Sequence, residues 1–421
     1  MPTNVTGLGH TGGMAFPGET TPSQRSRRWA STMDGFPQPP DGSATGQSTA
    51  EEAVAAGLRL AHADSRAVVG RTAPDRAEAT QAGVVGLNRE GREGAEDAAL
   101  ATGATRAAGA GDRARPEDPD PWRTCFERDR DRVLHAAAFR RLAGKTQVFV
   151  FPEDHLRTRL THALEVAQVA ASVARACRLN VALTEAIALG HDCGHGPGGH
   201  ASEDALDPYL PGGFDHATWG AEVSLASLNL CRATLDGIAN HSWSRPAPHT
   251  PEGEVVSWAD RIAYVCHDWE DAVRTGIVAP GLLPDAVRTR CGEHRGAQLG
   301  TFIDALVSTI VRTGRVAMDE EMATVLGEFR ACNYEHIYLR EASVAQATAV
   351  VAVLRALVEY YADRPNAIPA VQEVGGLRAG EPAAVHAAVA YVAGMTDRFA
   401  CRQAVAQLGW DPDKLPQGID A

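Results

Sequence analysis

From Pro121 onward the apolar residues of this 421-residue chain recur at intervals of three and four, and almost nowhere at intervals of two. That spacing puts them on one face of a helix, so it constrains the fold more than any other feature. Leu160, Leu164, Ala167, Ala171 and Ala174 mark one helix, and Ala182–Leu189, closing at Gly190, a second. Glu254–Val273 is a third, with Val255, Val256, Ala259, Ile262, Ala263 and Cys266 as its stripe. Further helices are expected at Thr301–Thr313, Glu320–Cys332, Ser343–Tyr361 and Ala383–Ala400, and only Thr146–Phe151 reads as a short strand. The expected fold is all-α.

The first 115 residues read differently. They hold 17 of the 41 glycines and three aromatics, Phe16, Trp29 and Phe36, without a sustained apolar period. Such a segment buries too little apolar surface to offset its chain entropy, so 1–115 is expected to be a low-complexity, disordered extension. The net charge of −13 gives no global attraction for nucleic acid or an anionic membrane; any polyanion must meet a local basic cluster. No run of about 18 apolar residues predicts a membrane span, and Met1–Phe16 lacks the pattern of a secretory signal. Eight scattered cysteines without a CxxC pair fit reduced thiols in a cytoplasmic protein. Gly144-Lys145-Thr146 resembles the end of a P-loop, but Phe139 stands where the first glycine is required, and no Gly-x-Ser-x-Gly elbow occurs.

The chemistry concentrates in Gly190-His191-Asp192-Cys193-Gly194-His195-Gly196-Pro197-Gly198-Gly199-His200, three His, one Asp and five Gly just past a helix end. Imidazole and carboxylate together suit a divalent cation, and glycines let the backbone fold closely around it. Further ligands stand at helical positions: His162 early in its helix, and Asp260, which shares a face with Tyr264 and Asp268 at i, i+4 and i+8.

His162, the His191-Asp192 pair and Asp260 resemble the H…HD…D signature of the HD-domain metal-dependent phosphohydrolases. Phe139–Phe149, Arg157–His162, His191–His200 and Asp260–Asp271 together resemble, in order, the motifs of the dGTP triphosphohydrolases, from about Trp122 to about Arg340. The loop reads Pro-Gly-Gly-His where that family often has Pro-Phe-Gly-His.

The resemblance implies an HD-domain helical bundle, with the metal core at 116–275 and a C-terminal helical region at 276–415 packing on it. It makes His162, His191, Asp192 and Asp260 the ligands of a divalent metal, with Mg²⁺ or Mn²⁺ favoured and Fe²⁺ or Co²⁺ compatible. His200 and Glu203 become the catalytic pair, Glu203 orienting His200, with His195 the next catalytic candidate; His195, Tyr264 and Asp268 also line the phosphate and sugar pocket. Arg140, Arg141, Lys145 and Gln147 are expected to approach the nucleotide, with Arg157 and Arg159 completing a cluster that neutralises a triphosphate. The implied activity is hydrolysis of a dNTP, dGTP first, to deoxynucleoside and intact triphosphate, in a homo-oligomer. Another nucleotide phosphohydrolase or phosphodiesterase of the superfamily, or a catalytically weak nucleotide sensor, is the alternative.

Overall fold

The structure is a computed structural model that describes residues 86–152 and 155–418. The helices in chain order begin with α1 (Arg89–Ala99), α2 (Cys125–His135), α3 (Ala137–Arg141), α4 (Arg159–Ala176) and α5 (Val181–Gly190). There follow α6 (Ala201–Leu206), α7 (His216–Trp219), α8 (Arg232–Ala239), α9 (Pro251–Arg274), α10 (Asp285–Cys291) and α11 (Arg295–Thr313). The last five are α12 (Glu320–Asn333), α13 (Glu341–Asp363), α14 (Pro369–Val374), α15 (Pro382–Ala393) and α16 (Asp397–Leu408). The described residues contain no β-strand, and the chain is all-α as expected.

Residues Thr146–Phe151 do not form the expected strand. Thr146 makes one isolated bridge to Thr158, its amide and hydroxyl donate to Asp397, and Phe151 turns into the left-handed region (φ 51°). Without a neighbouring strand, an alternating pattern has nothing to pair with.

Two cores organise the fold. In the first, α4, α5 and α9 are the central helices. Val255, Val256, Ala259, Ile262, Ala263 and Cys266 on α9 are fully buried against Val166, Val169, Ala170 and Val173 of α4 and Leu183 and Ile187 of α5. Each large aliphatic side chain buried this way contributes about 1.5–3 kcal/mol. The stripe expected on α4 holds at Ala167, Ala171 and Ala174, which are buried; Leu164 is exposed, and His162, Ala163 and Val166 widen the inward face. Asn180 caps α5 by accepting from the Leu183 amide, and Thr250 caps α9 ahead of Pro251, which fixes where both helices begin.

The second core packs α13 against α6, α15 and α16 through Val353, Leu354, Leu357, Val358, Val389, Val392 and Ala404. Helix α13 has the length and mean hydropathy of a membrane span, but Val353, Leu354, Leu357 and Val358 form the centre of this core. The single helix expected over Ala383–Ala400 is two helices. Gly394 closes α15, and Thr396 is extended (φ −89°, ψ 162°) before α16 starts at Asp397. Small residues on both sides of the break continue the helical spacing and conceal it.

The expected extension also ends earlier than residue 115. Residues 1–85 lie outside the described residues, whereas 86–115 is packed against the first core. Ala104 and Ala107 are buried, and Thr105 donates its amide and hydroxyl to the buried Glu252 carboxylate. Arg113 donates through Nη1 to the fully buried Asp129 at 2.6 Å and to the Asn229 carbonyl, and pairs through Nε with Glu117. Arg113→Ala is therefore expected to destabilise the chain by ~3–5 kcal/mol, the usual consequence of stranding a buried charge. Denaturant unfolding checks this, and a loss below about 1 kcal/mol would mean that Asp129 is satisfied by Cys231 N and Thr234 Oγ1 alone.

Candidate metal centre

Three elements carry the centre: α4 presents His162, the turn leaving α5 presents His191 and Asp192, and α9 presents Asp260. The ends of these side chains converge. His162 Nε2 lies 2.9 Å from Asp260 Oδ1 and 3.9 Å from Asp192 Oδ2, and His191 Nε2 lies 3.4 Å from Asp192 Oδ2 and 3.6 Å from Asp260 Oδ1. His162, His191 and Asp192 are buried.

The donor set fits a divalent cation. His191 donates its Nδ1–H to the Ala188 carbonyl at 2.6 Å, which leaves Nε2 as a lone pair aimed into the cluster, and that atom has no hydrogen-bond partner. His162, His191 and Asp260 bring ligand atoms within 4.8 Å of one another, with Asp192 beside His191, and imidazole with carboxylate suits Mg²⁺, Mn²⁺, Fe²⁺ or Co²⁺ alike. Burial opposes protonation of His191, but the Asp192 and Asp260 carboxylates raise its pKa well above the usual range. Burial likewise works against ionised Asp192, yet Arg159 and His191 hold its pKa well below that of an ordinary aspartate. A cation would take over as the counter-charge to the two carboxylates.

The glycine-rich loop wraps this cluster. Gly194 is required there: a Cβ would stand 1.9 Å from the His216 carbonyl oxygen and 2.4 Å from the Gly220 nitrogen. His195 is buried, with Nε2 3.2 Å from Asp192 Oδ1. His200, the residue before α6, opens onto the cleft, its ring 5.0 Å from that of His195.

Glu203 does not orient His200. It accepts a hydrogen bond from Nδ1 of His216, whose ring stacks on His195 at 3.7 Å. Helix α6 starts directly after His200 and turns Glu203 toward α7 instead. His216 and His241, whose Nε2 atoms are 3.3 Å apart, were not found from the sequence. They lie in stretches with no metal-ligand spacing, and only the fold brings them to the loop.

A cleft of about 580 Å³ opens above the cluster, lined by Gln147, Arg159, His162, Asp192, His195, His200, Asp260, Tyr264 and Asp268 among others. Tyr264 OH accepts from Arg330 Nε at 2.9 Å, and Tyr338 OH donates to Asp268 Oδ2 at 2.5 Å, leaving Asp268 Oδ1 buried without a partner. Burial pushes Asp268 up to about 7.

The basic cluster expected on the nucleotide is largely elsewhere. Arg140 is exposed and donates to the His135 carbonyl, and Arg141 stands behind the loop near Gly394. Arg157 is spent on Glu165, Glu270 and Asp271. Lys145 is buried beneath the loop, its Nζ donating to the carbonyls of His195 and Ala393, and burial lowers its pKa to about 7. Helix α3 and the short turn after it direct these cations away from the cleft. The cationic lining comes from Arg159, Arg261, Arg330 and Arg340. Arg159 Nη1 donates to Asp192 Oδ2 at 2.8 Å, and Arg261 stacks on Trp243 at 3.4 Å.

The HD domain family matches residues 159–265, and the phosphohydrolase-associated domain matches 316–405. A deoxyguanosinetriphosphate triphosphohydrolase-like protein of Caldanaerobacter subterraneus subsp. tengcongensis is 42% identical over 296 residues, covering 68% of this chain and 86% of its own. Proteins of the same description from Clostridium perfringens strain 13 and Ruegeria sp. are 40% and 36% identical, covering 68% of this chain and 87% and 93% of theirs. With its metal-ligand cluster on an HD domain and relatives this similar along most of their length, the chain belongs to the deoxyguanosinetriphosphate triphosphohydrolase-like family of HD-domain phosphohydrolases.

Proposed function

We propose that the protein hydrolyses deoxynucleoside triphosphates, dGTP first among them, to deoxynucleoside and intact triphosphate. The observation that carries this reading is the convergence of His162, His191, Asp192 and Asp260 at the floor of a cleft lined by four arginines. A divalent cation, Mg²⁺ or Mn²⁺ by this reading, supplies Lewis-acid polarisation of a phosphoryl oxygen and a water of lowered pKa.

The chain's own residues do the rest. Arg159, Arg261, Arg330 and Arg340 neutralise the polyphosphate, with guanidinium groups suited to phosphate oxygens. Tyr264 and the free oxygen of Asp268 offer a hydroxyl and a carboxylate to the sugar. His200, open to the cleft, exchanges a proton with the water or with the departing 5′-oxygen. The free state of all eight cysteines suits a reducing compartment and supports a cytoplasmic location.

Incubation with each dNTP and Mn²⁺ or Mg²⁺ in ¹⁸O-water tests the reading. The expected products are a deoxynucleoside and a triphosphate that carries the label, because attack at the α-phosphorus puts the water oxygen there. Release of phosphate or pyrophosphate with a nucleotide would make the protein another phosphohydrolase of the superfamily. Tight nucleotide binding without products would make it a sensor.

A further inference from the structure

The loop that carries His195 and His200 is held from behind by the phosphohydrolase-associated segment, and one carboxylate dominates that contact. Asp397, the first residue of α16, is 5% exposed and accepts three hydrogen bonds. Oδ1 accepts from the Gly198 amide at 2.8 Å; Oδ2 accepts from the Thr146 amide at 2.8 Å and its hydroxyl at 2.6 Å. Beside it, Lys145 bridges the carbonyls of His195 in the loop and Ala393 at the end of α15.

The need for such an anchor follows from the backbone. Gly198 and Gly199 both sit at positive φ (75° and 63°), and they are the two residues that lead into His200. Two glycines in succession have the widest conformational range a chain can have, so they do not hold the next residue by themselves. Gly196 is tied to Ser202 Oγ and the Gly199 carbonyl to the same hydroxyl, but both bonds lie within the loop and its own helix. Of these side-chain bonds, the one from the Gly198 amide alone connects the glycine pair to a separate element, and its acceptor is charged, which makes the bond shorter and stronger than a neutral one.

We propose that Asp397 is a positioning residue for the reaction: through the Gly198 amide it fixes the glycine pair, and through that pair it sets where His200 stands in the cleft. This makes the associated domain a working part of the catalytic centre. The inference rests on His200 acting on substrate, as proposed above.

The test uses the full chain with Asp397→Ala and Asp397→Asn. Metal per chain, kcat and KM for dGTP with Mn²⁺, and backbone hydrogen exchange by mass spectrometry are measured on each. Misplacement of a reacting group by about 1 Å costs on the order of 10²-fold. Asp397→Ala is therefore expected to lower kcat by about 10- to 100-fold, with KM within about threefold and metal content unchanged. Exchange should rise in the peptide covering 194–203 while α13 and α15 stay protected. The Asp397→Asn amide keeps one oxygen acceptor, so its kcat should fall between wild type and Asp397→Ala, a partial rescue that mere loss of packing would not give.

A kcat within threefold of wild type for Asp397→Ala would overturn the proposal. So would loss of metal in step with kcat, or exchange rising equally through α13 and α15 in both variants, which would make Asp397 only a structural part of the second core. If the wild-type chain turns over no deoxynucleotide, the functional reading fails. The exchange contrast, which needs no substrate, still decides whether Asp397 holds the loop.

Discussion

Asp260→Ala is expected to remove the divalent ion and turnover together. Purified wild-type chain should carry metal at its cluster, while the variant should carry close to none. Turnover should fall by more than the roughly 10- to 100-fold that follows loss of a residue merely supporting a ligand. The reason is the geometry at Oδ1, which stands 2.9 Å from His162 Nε2 and 3.6 Å from His191 Nε2, so one side chain faces both imidazoles. With Asp260 gone, Asp192 is the one carboxylate of the four left beside the two imidazoles. Asp260 is also the least buried of the four, with its side chain 22% exposed, so its removal should not collapse the first core. Elemental analysis and thermal unfolding of the same preparation separate the two effects. Full metal occupancy in Asp260→Ala would refute the ligand set.

The helices around this cluster and its four converging residues were legible because their signals are local. A stripe on α9 recurs within one helix, and an adjacent His-Asp pair beside glycines needs no tertiary knowledge to stand out. Of the cationic lining only Arg159 was legible. Arg261, Arg330 and Arg340 come from α9, α12 and the residue before α13, and an arginine at a helical spacing looks like any solvated face. The resemblance pointed instead to Arg140, Arg141 and Lys145, which the turn after α3 carries behind the loop. Lys145 is the instructive case: the resemblance puts it on the nucleotide, whereas burial turns it into a strut for two carbonyls. Residues 86–115 failed for another reason. Their contacts are buried ion pairs and small side chains, Arg113 with Asp129 and Ala104 with Ala107, and neither leaves an apolar period. Asp397 was silent in the sequence because its three donors lie about 200 and 250 positions upstream.

His200→Ala should do the opposite of Asp260→Ala: keep the metal and lose the rate. His200 stands outside the four converging atoms, and its imidazole opens onto the cleft. Partial desolvation in the cleft, with Arg159 adding like charge, lowers its pKa from the usual imidazole value. The ring is therefore neutral at pH 7 and has a lone pair available for a proton. Glu203 does not hold it; the nearest rings are those of His195 and His216, at 5.0 and 6.0 Å. Its placement comes through the backbone, from Gly198 and Gly199 as the Asp397 carboxylate holds them and from α6 after it. Removing the ring should then leave the neighbouring hydrogen bonds intact, and metal content and unfolding temperature should stay near wild type. Turnover should drop by about 10²- to 10⁴-fold, the usual contribution of a positioned acid–base group. The loss should fall on kcat, since a proton moved only in the transition state contributes little to ground-state binding. Metal lost with the ring would make His200 a support for the loop. A rate within about threefold of wild type would move the proton transfer to His216, which Glu203 holds at Nδ1 and whose Nε2 lies 3.3 Å from that of His241.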